Sequence, residues 1–271
     1  MRREGARRWG VVVLGTRVIV GAVLAVLAVV LIVHGGWWFF AMMALVSFLG
    51  LNEFYRMMRP YRPIALAGFA GLALVLVAAW FGQPLQTVGA CAAALVVTFA
   101  IAVIPGPRRG VSVRIAMTML GLIYVGLGFA HLLFIRRLDE GMALVLTVVF
   151  GAWGGDTVAY FTGRYFGSTP MAPRLSPKKT WEGFVGGFIG TILVVVFVGL
   201  YTELSPYNSL ILGLTIAVTA PIGDLFESLL KRDVEIKDAG RAFPGHGGIL
   251  DRFDGLIFAS VASFYVITRF L

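Results

Sequence analysis

About nine runs of roughly 20 apolar residues divide this sequence, at 11–33, 36–55, 64–81, 86–104, 115–135, 143–161, 184–201, 209–230 and 249–270. That is the length an α-helix needs to cross roughly 30 Å of hydrocarbon. The runs are continuously apolar rather than alternating, and a backbone in lipid must satisfy its own hydrogen bonds, so helices are the solution. The expected fold is all-α: a polytopic integral membrane protein with about nine transmembrane helices. The first run is too long for a signal-peptide core and no small-residue cleavage site follows it, so it is expected to stay in the mature chain. We expect one membrane domain over 1–271. Residues 1–140 would be a hydrophobic helical scaffold, and 141–271 a catalytic half with polar loops.

Composition agrees with a membrane chain and excludes most other classes. Of 271 residues 59% are apolar and 14% charged, against about 45–50% and 25% in soluble domains. The single cysteine, Cys91, excludes an internal disulfide and a Cys-based zinc site; among Ala and Val it reads as a packing residue. The formal net charge is +9. The basic residues are spread over short loops, which argues against nucleic acid as a partner and leaves anionic lipid or an anionic substrate.

Loop charges give an orientation. Basic loops (Arg2 to Arg8; Arg56, Arg59 and Arg62; Arg108, Arg109 and Arg114; Arg164, Arg174, Lys178 and Lys179; Lys231, Arg232, Lys237 and Arg241) alternate with loops that carry no Lys or Arg. The pair Arg136-Arg137 is the one departure. The alternation predicts a cytoplasmic N-terminus and places the basic loops of the second half in the cytoplasm, where nucleotides are found.

Acidic residues are scarce before residue 141 (Glu4, Glu53, Asp139, Glu140) and frequent after it; all four lysines also lie in the second half. A carboxylate inside a membrane costs a few kcal/mol unless it binds an ion, pairs with a cation or lines a wet cavity, so the asymmetry points to the site. Asp224 sits in the eighth run beside Pro221 and Gly223, where a kinked helix with a broken hydrogen-bond ladder would offer freed carbonyl oxygens beside the carboxylate; the alternative is simple pairing with Lys231 or Arg232. Glu227 and Ser228, one turn later, read as supporting groups or as capping. Asp251 and Asp254, spaced i, i+3, share one helix face at the start of the ninth run. They follow Pro244-Gly245-His246-Gly247-Gly248, and the alternative for them is helix-start chemistry. Asp224, Asp251 and Asp254 are oxygen ligands of the kind Mg²⁺ prefers, with room for phosphate oxygens and water. Lys231, Arg232, Lys237 and Arg241 stand beside them, so carboxylates that hold a metal adjoin cations that neutralise phosphate. Asp156, Arg164 and the stretch Ser176-Pro177-Lys178-Lys179-Thr180 precede the seventh run. The paired lysines flanked by hydroxyls read as a phosphate grip at a helix start, and equally as a positive-inside anchor. His246, among glycines, reads as a phosphate contact or as site structure, and Gly186, Gly187 and Gly190 are spaced for close helix packing.

These stretches resemble the phosphatidate cytidylyltransferase family, also called CDP-diacylglycerol synthase. The resemblance rests on Ser228, Lys231-Arg232, Lys237-Asp238, His246-Gly247-Gly248 and Asp251-Arg252-Phe253-Asp254 in unbroken order. The block from Asp156-Thr157 to Gly163-Arg164, Ser176 to Thr180 with Glu182-Gly183, and Pro221 to Asp224 support it. It covers the half from about Trp153 onward; Val158 stands where many relatives have a small residue. The resemblance implies transfer of CMP from CTP to phosphatidic acid at the bilayer, giving CDP-diacylglycerol and pyrophosphate. It implies Mg²⁺, with a second cation such as K⁺ open in the same centre, and Asp224 and Asp251 as its best ligands, Asp254 next. Arg252, Arg164 and Asp156 join the substrate-binding set, and the setting is a bacterial inner membrane with the site facing the cytoplasm. A homodimer is compatible with the sequence. An ion-coupled transporter would place its charges near mid-membrane in two matching halves, which this chain lacks. A CDP-alcohol phosphotransferase would need Asp-Gly-x-x-Ala-Arg, which is absent.

Overall fold

A computed structural model of the chain describes residues 21–104, 106, 109–202, 204–240 and 247–271. They form an antiparallel series of helices: α1 (Gly21–His34), α2 (Gly36–Met57), α3 (Ala65–Phe81), α4 (Pro84–Val103) and α5 (Val111–Arg136), then α6 (Gly141–Phe166), α7 (Trp181–Gly199), α8 (Pro206–Asp233) and α9 (Leu250–Phe270). Each apolar run in the sequence, the first over its described residues 21–33, falls on one of these helices. Seven of them are long and apolar enough to cross a membrane; α1 as described and α3, at 17 residues, are shorter. The chain is an integral membrane protein.

The buried interior is built from large apolar side chains such as Phe39, Leu51, Phe54, Leu122 and Phe129, while Leu66, Val96, Phe99, Leu193 and Phe197 point outward as a surface for hydrocarbon. Several buried hydroxyls return their proton to the preceding turn, as Ser47 does to Met43 O (2.6 Å), Thr98 to Ala94 O (2.7 Å) and Thr147 to Ala143 O (2.8 Å), which satisfies them within their own helix. α5 joins the two halves. Its middle widens into a π turn at Leu122–Leu127, its C-terminal part packs on α9, and Ser260 of α9 donates to Gly128 O at 2.8 Å.

The two arginines that break the loop-charge alternation are consumed by helix ends. Arg136 Nε donates to Ile32 O at 3.1 Å, in the last turn of α1, and Arg137 Nη1 donates to Ala79 O (2.9 Å) and Gly82 O (2.6 Å) at the end of α3. Carbonyls at helix C-termini are unpaired and carry negative partial charge, which a guanidinium satisfies. These charges answer to capping rather than to the membrane potential.

α6 and α7 make the tightest helix pair. Gly155, Ala159 and Gly163 of α6 face Gly183, Gly187 and Thr191 of α7 at four-residue spacing. A Cβ on Gly187 would lie 2.7 Å from Ala159 Cβ, and one on Gly190 would lie 2.7 Å from Val158 Cβ. Small residues at this spacing let backbones approach in lipid, where dispersion replaces the hydrophobic effect. Between the two helices the chain forms a short antiparallel hairpin, β1 (Pro170–Ala172) and β2 (Ser176–Thr180). Among the described residues it is the one sheet, and the all-α expectation did not include it.

Replacing Gly187 by Val should destabilise the α6–α7 pair by about 1–3 kcal/mol through overpacking. Thermal unfolding in detergent would read this as a lower midpoint; an unchanged midpoint would mean that the seam is loose.

Candidate active site

The ends of α6 to α9 that meet the hairpin enclose a cavity of about 1230 Å³. Its polar lining comes from α6 (Asp156, Arg164), the hairpin (Lys178, Lys179, Thr180), α8 (Asp224, Lys231), the following loop (Asp238) and α9 (Asp251, Arg252, Asp254); Ala152, Phe184 and Phe188 make an apolar wall. Most of the residues singled out in the sequence therefore share one space.

α8 and α9 are locked by a buried charge network. Lys231, in the last turn of α8, donates to Asp251 Oδ1 at 2.8 Å and stands 3.3 Å from Glu227 Oε1. Glu227 is fully buried and Lys231 nearly so. The rest of the Asp251 carboxylate is taken by backbone: Gly248 N donates to Oδ2 at 2.8 Å, and Ala239 N reaches both oxygens at 3.1 and 3.3 Å. Asp251 therefore ties down the glycine turn ahead of α9.

Asp224 and Asp254 meet where α8 and α9 cross closely. A Cβ on Gly223 would fall on Asp254 O, and one on Gly255 would lie 3.1 Å from Ala220 O, so glycine on both helices permits the approach. Asp254 is buried and lies within electrostatic reach of Asp224, Glu227 and Asp156. Lys179 forms an ion pair with Asp224, while Ser228 Oγ is 3.5 Å from Asp224 Oδ1. The helix continues through Pro221, whose missing N–H removes one bond from the ladder, and Asp224 is presented three residues later on the same helix. Among the described residues no three His, Cys, Asp or Glu side chains stand close enough to form a closed metal cage. The three-aspartate set separates into Asp224 with Asp254, and Asp251 held by Lys231 and main-chain N–H groups.

The lysine pair directly precedes the start of α7, carried there by a strand. Lys178 and Lys179 lie on β2, and their alternation sends Lys179 to Asp224 and leaves Lys178 more exposed in the cavity. Thr180 is the residue that caps α7, its Oγ1 accepting from Gly183 N at 3.1 Å. Prolines at 170 and 177 suit an edge hairpin, where a missing N–H is tolerated. Glu182 fastens the hairpin by accepting from Ser168 Oγ (2.7 Å) and Thr169 N (3.2 Å). Arg232 fastens its turn, donating through Nε to Leu175 O at 3.0 Å and through Nη1 to Ile236 O at 3.3 Å. Arg232 thus serves the hairpin. Lys237, exposed in the loop after α8, and Ser176 are not among the cavity-lining residues. Arg164 lines the cavity and donates to Tyr160 Oη at 2.8 Å. Arg241 and His246 lie outside the described residues.

Four further residues bear on this region. Asp238 lines the cavity. Tyr124 of α5 packs on Phe226 (5.1 Å) and Phe258 (6.2 Å), and its buried hydroxyl has no hydrogen-bond partner among the described residues. Glu53 of α2 accepts from Leu250 N at 3.0 Å at the start of α9. Glu53 was visible as the one carboxylate between Glu4 and Asp139; nothing local identified its partner. Tyr61, between α2 and α3, donates to Asp233 Oδ2 at 2.6 Å, and that carboxylate pushes its phenol pKa up.

The helical bundle thus sets carboxylates beside lysines in one cavity. The cytidylyltransferase family model matches residues 15–270, and the chain belongs to that family. A phosphatidate cytidylyltransferase of Synechocystis is 31% identical over 291 aligned positions, covering 94% of this chain and 97% of the relative. Those of Thermotoga maritima and Bacillus subtilis are 40% and 37% identical over 159 and 160 residues, 56% and 58% of this chain. In those two alignments the chain spans 58% and 60% of the relative's length.

Removing one partner of a buried charge network strands the others, at a cost of about 3–5 kcal/mol. Lys231→Met should therefore lower the unfolding midpoint of the ligand-free protein sharply. If Lys231 were only a phosphate-neutralising group, the midpoint would hold and nucleotide affinity alone would fall.

Proposed function

We propose that this protein is a phosphatidate cytidylyltransferase, transferring the cytidylyl group of CTP to phosphatidic acid with release of pyrophosphate. The observation that carries the reading is the close crossing of α8 and α9 that sets Asp224 beside Asp254, at the rim of a membrane bundle with Lys178, Lys179 and Lys231 around it. Family membership and the names of the relatives support it.

The donor set fits Mg²⁺. Asp254 has Asp224, Glu227 and Asp156 as electrostatic neighbours, and Asp156 has Asp224, with Lys179 and Lys231 as the lysines paired among them. Mg²⁺ is usually held by one or two carboxylates, with water and phosphate completing its shell, so an open arrangement suits it better than a closed cage. Asp224 and Asp254 would hold it, and the same surplus of carboxylates suits a second cation such as K⁺. When bound, the metal neutralises charge on the nucleotide phosphates.

The chain's own groups do the rest. A phosphatidate oxygen attacks the α-phosphorus of CTP, the bond from that phosphorus to the bridging oxygen of the β-phosphate breaks, and pyrophosphate leaves with the electron pair. The nucleophile is already anionic near neutral pH, so the protein's task is positioning and charge neutralisation. Lys178, Arg164 and Arg252 line the cavity and are assigned to the phosphates. Lys179 turns from Asp224 toward the triphosphate as the nucleotide binds. The apolar wall of Ala152, Phe184 and Phe188 faces the lipid substrate, whose acyl chains stay in the bilayer while only the head group enters. With the basic loops on the inner side, the site opens to the cytoplasm of a bacterial inner membrane.

The assay uses detergent-solubilised protein, phosphatidic acid and labelled CTP, with Mg²⁺ or a chelator, following pyrophosphate and labelled lipid together. Asp224→Asn and Asp254→Asn should each reduce turnover about a hundredfold or more, as loss of preorganised charge does elsewhere, in protein that remains folded. Near-normal turnover in either variant removes that residue from the role, and absence of labelled lipid with the native chain overturns the reading itself.

A further inference from the structure

Glu53 is a buried carboxylate in α2, within the half of the chain that otherwise reads as hydrophobic scaffold. Such a group is costly in a membrane bundle unless its oxygens are satisfied. Here the partners are main-chain amides nearly 200 residues away in sequence. Oε2 accepts from Leu250 N at 3.0 Å, and Ile249 N is a second contact. These are among the first amides of α9, whose own N-cap side chain supplies no hydrogen bond. A helix start has unpaired N–H groups and a positive dipole end, so a carboxylate there is favoured on both counts.

The surrounding loop is shaped to this carboxylate. A Cβ on Gly240 would fall on Glu53, and the three nearest atoms it would meet all belong to that side chain. A Cβ on Gly248 would also fall on Glu53, and Gly247 turns the chain with φ +81°. From the other side Asp251 holds the same loop through Gly248 N and Ala239 N. Two carboxylates thus clamp the entry to α9, and the first turns of α9 carry Asp251, Arg252 and Asp254 into the cavity.

We infer that Glu53 is a positioning residue: by capping α9 from α2 and seating Gly240 and Gly248 against its carboxylate, it fixes where Asp251, Arg252 and Asp254 stand in the cavity. The activity readout of this inference rests on the proposed cytidylyl transfer; its structural readout does not.

The test uses the full chain with Glu53→Gln, Glu53→Ala, Gly240→Ala and the Glu53→Ala/Gly240→Ala pair. Amide exchange at Leu250 needs no activity: it should quicken about tenfold or more in Glu53→Ala, as loss of a charge-assisted hydrogen bond allows, and return most of the way in Glu53→Gln, which keeps an acceptor. In turnover per folded molecule, Glu53→Ala should lose about ten- to a hundredfold in kcat, the scale of a small misplacement, with the unfolding midpoint of Glu53→Gln near that of the native chain. Gly240→Ala should be harmful alone and nearly silent when Glu53 is already Ala, because the collision partner is gone. Unchanged exchange at Leu250, unchanged kcat in folded Glu53→Ala, or additive effects of the pair would each overturn the inference. A native chain that forms no labelled lipid would instead overturn the proposed activity, and the exchange data would still decide the role of Glu53.

Discussion

The buried contact of Lys231 with Glu227 and Asp251 is the interaction on which the second half of the molecule depends. One ammonium group, on the last turn of α8, answers a carboxylate of its own helix and one at the start of α9. Neither acid would be tolerated alone in a bundle that faces hydrocarbon. Asp251 also gathers Ala239 N and Gly248 N, so the acid that Lys231 holds in turn fixes backbone at both described ends of the connection between the helices.

The α6–α7 pair solves a different problem. Its contact is nearly free of charge and depends on glycine and alanine at four-residue spacing, which lets the backbones come close. Such a seam gives shape without polarity, so the polar hairpin can be mounted at its end. Arg232 and Glu182 then moor the hairpin at its turn and its base, while Lys179 reaches across to Asp224. The rigid seam and the charged crossing of α8 with α9 form opposite sides of the cavity.

The membrane class was legible because helix length and apolarity are local properties that each run carries by itself. The glycine seam was legible for the same reason, and the charge cluster because carboxylates are expensive in lipid. What escaped were long-range pairings. The hairpin at 170–180 is too short for periodicity to separate it from a loop, so the strand that carries Lys178 and Lys179 into the start of α7 had no signal of its own. Asp251 stood out by its type and spacing, while the Lys231 ammonium and the amides that its oxygens meet carry no sequence signature. Arg136 and Arg137 looked like an orientation anomaly until the carbonyls of Ile32, Ala79 and Gly82 came into view. Glu53 stood out only by its isolation.

The placement of charge at the rim separates scaffold from chemistry. In an up-and-down bundle α6 and α8 end where α7 and α9 begin. Arg164, Lys231 and Arg232 fall in last turns, and Glu182 and Asp251 in first turns, the signs that helix dipoles favour. Those groups have a structural reason to be where they are. Asp156, Asp224 and Asp254 do not. Asp156 and Asp224 lie two turns or more before the ends of their helices, and Asp254 follows the first turn of its own. They act on one another with like charge, and of the three it is Asp224 that holds an ion pair, with Lys179. Neither dipole nor capping accounts for these carboxylates, and the glycine contacts at Gly223 and Gly255 are what let the helices that carry Asp224 and Asp254 come so close.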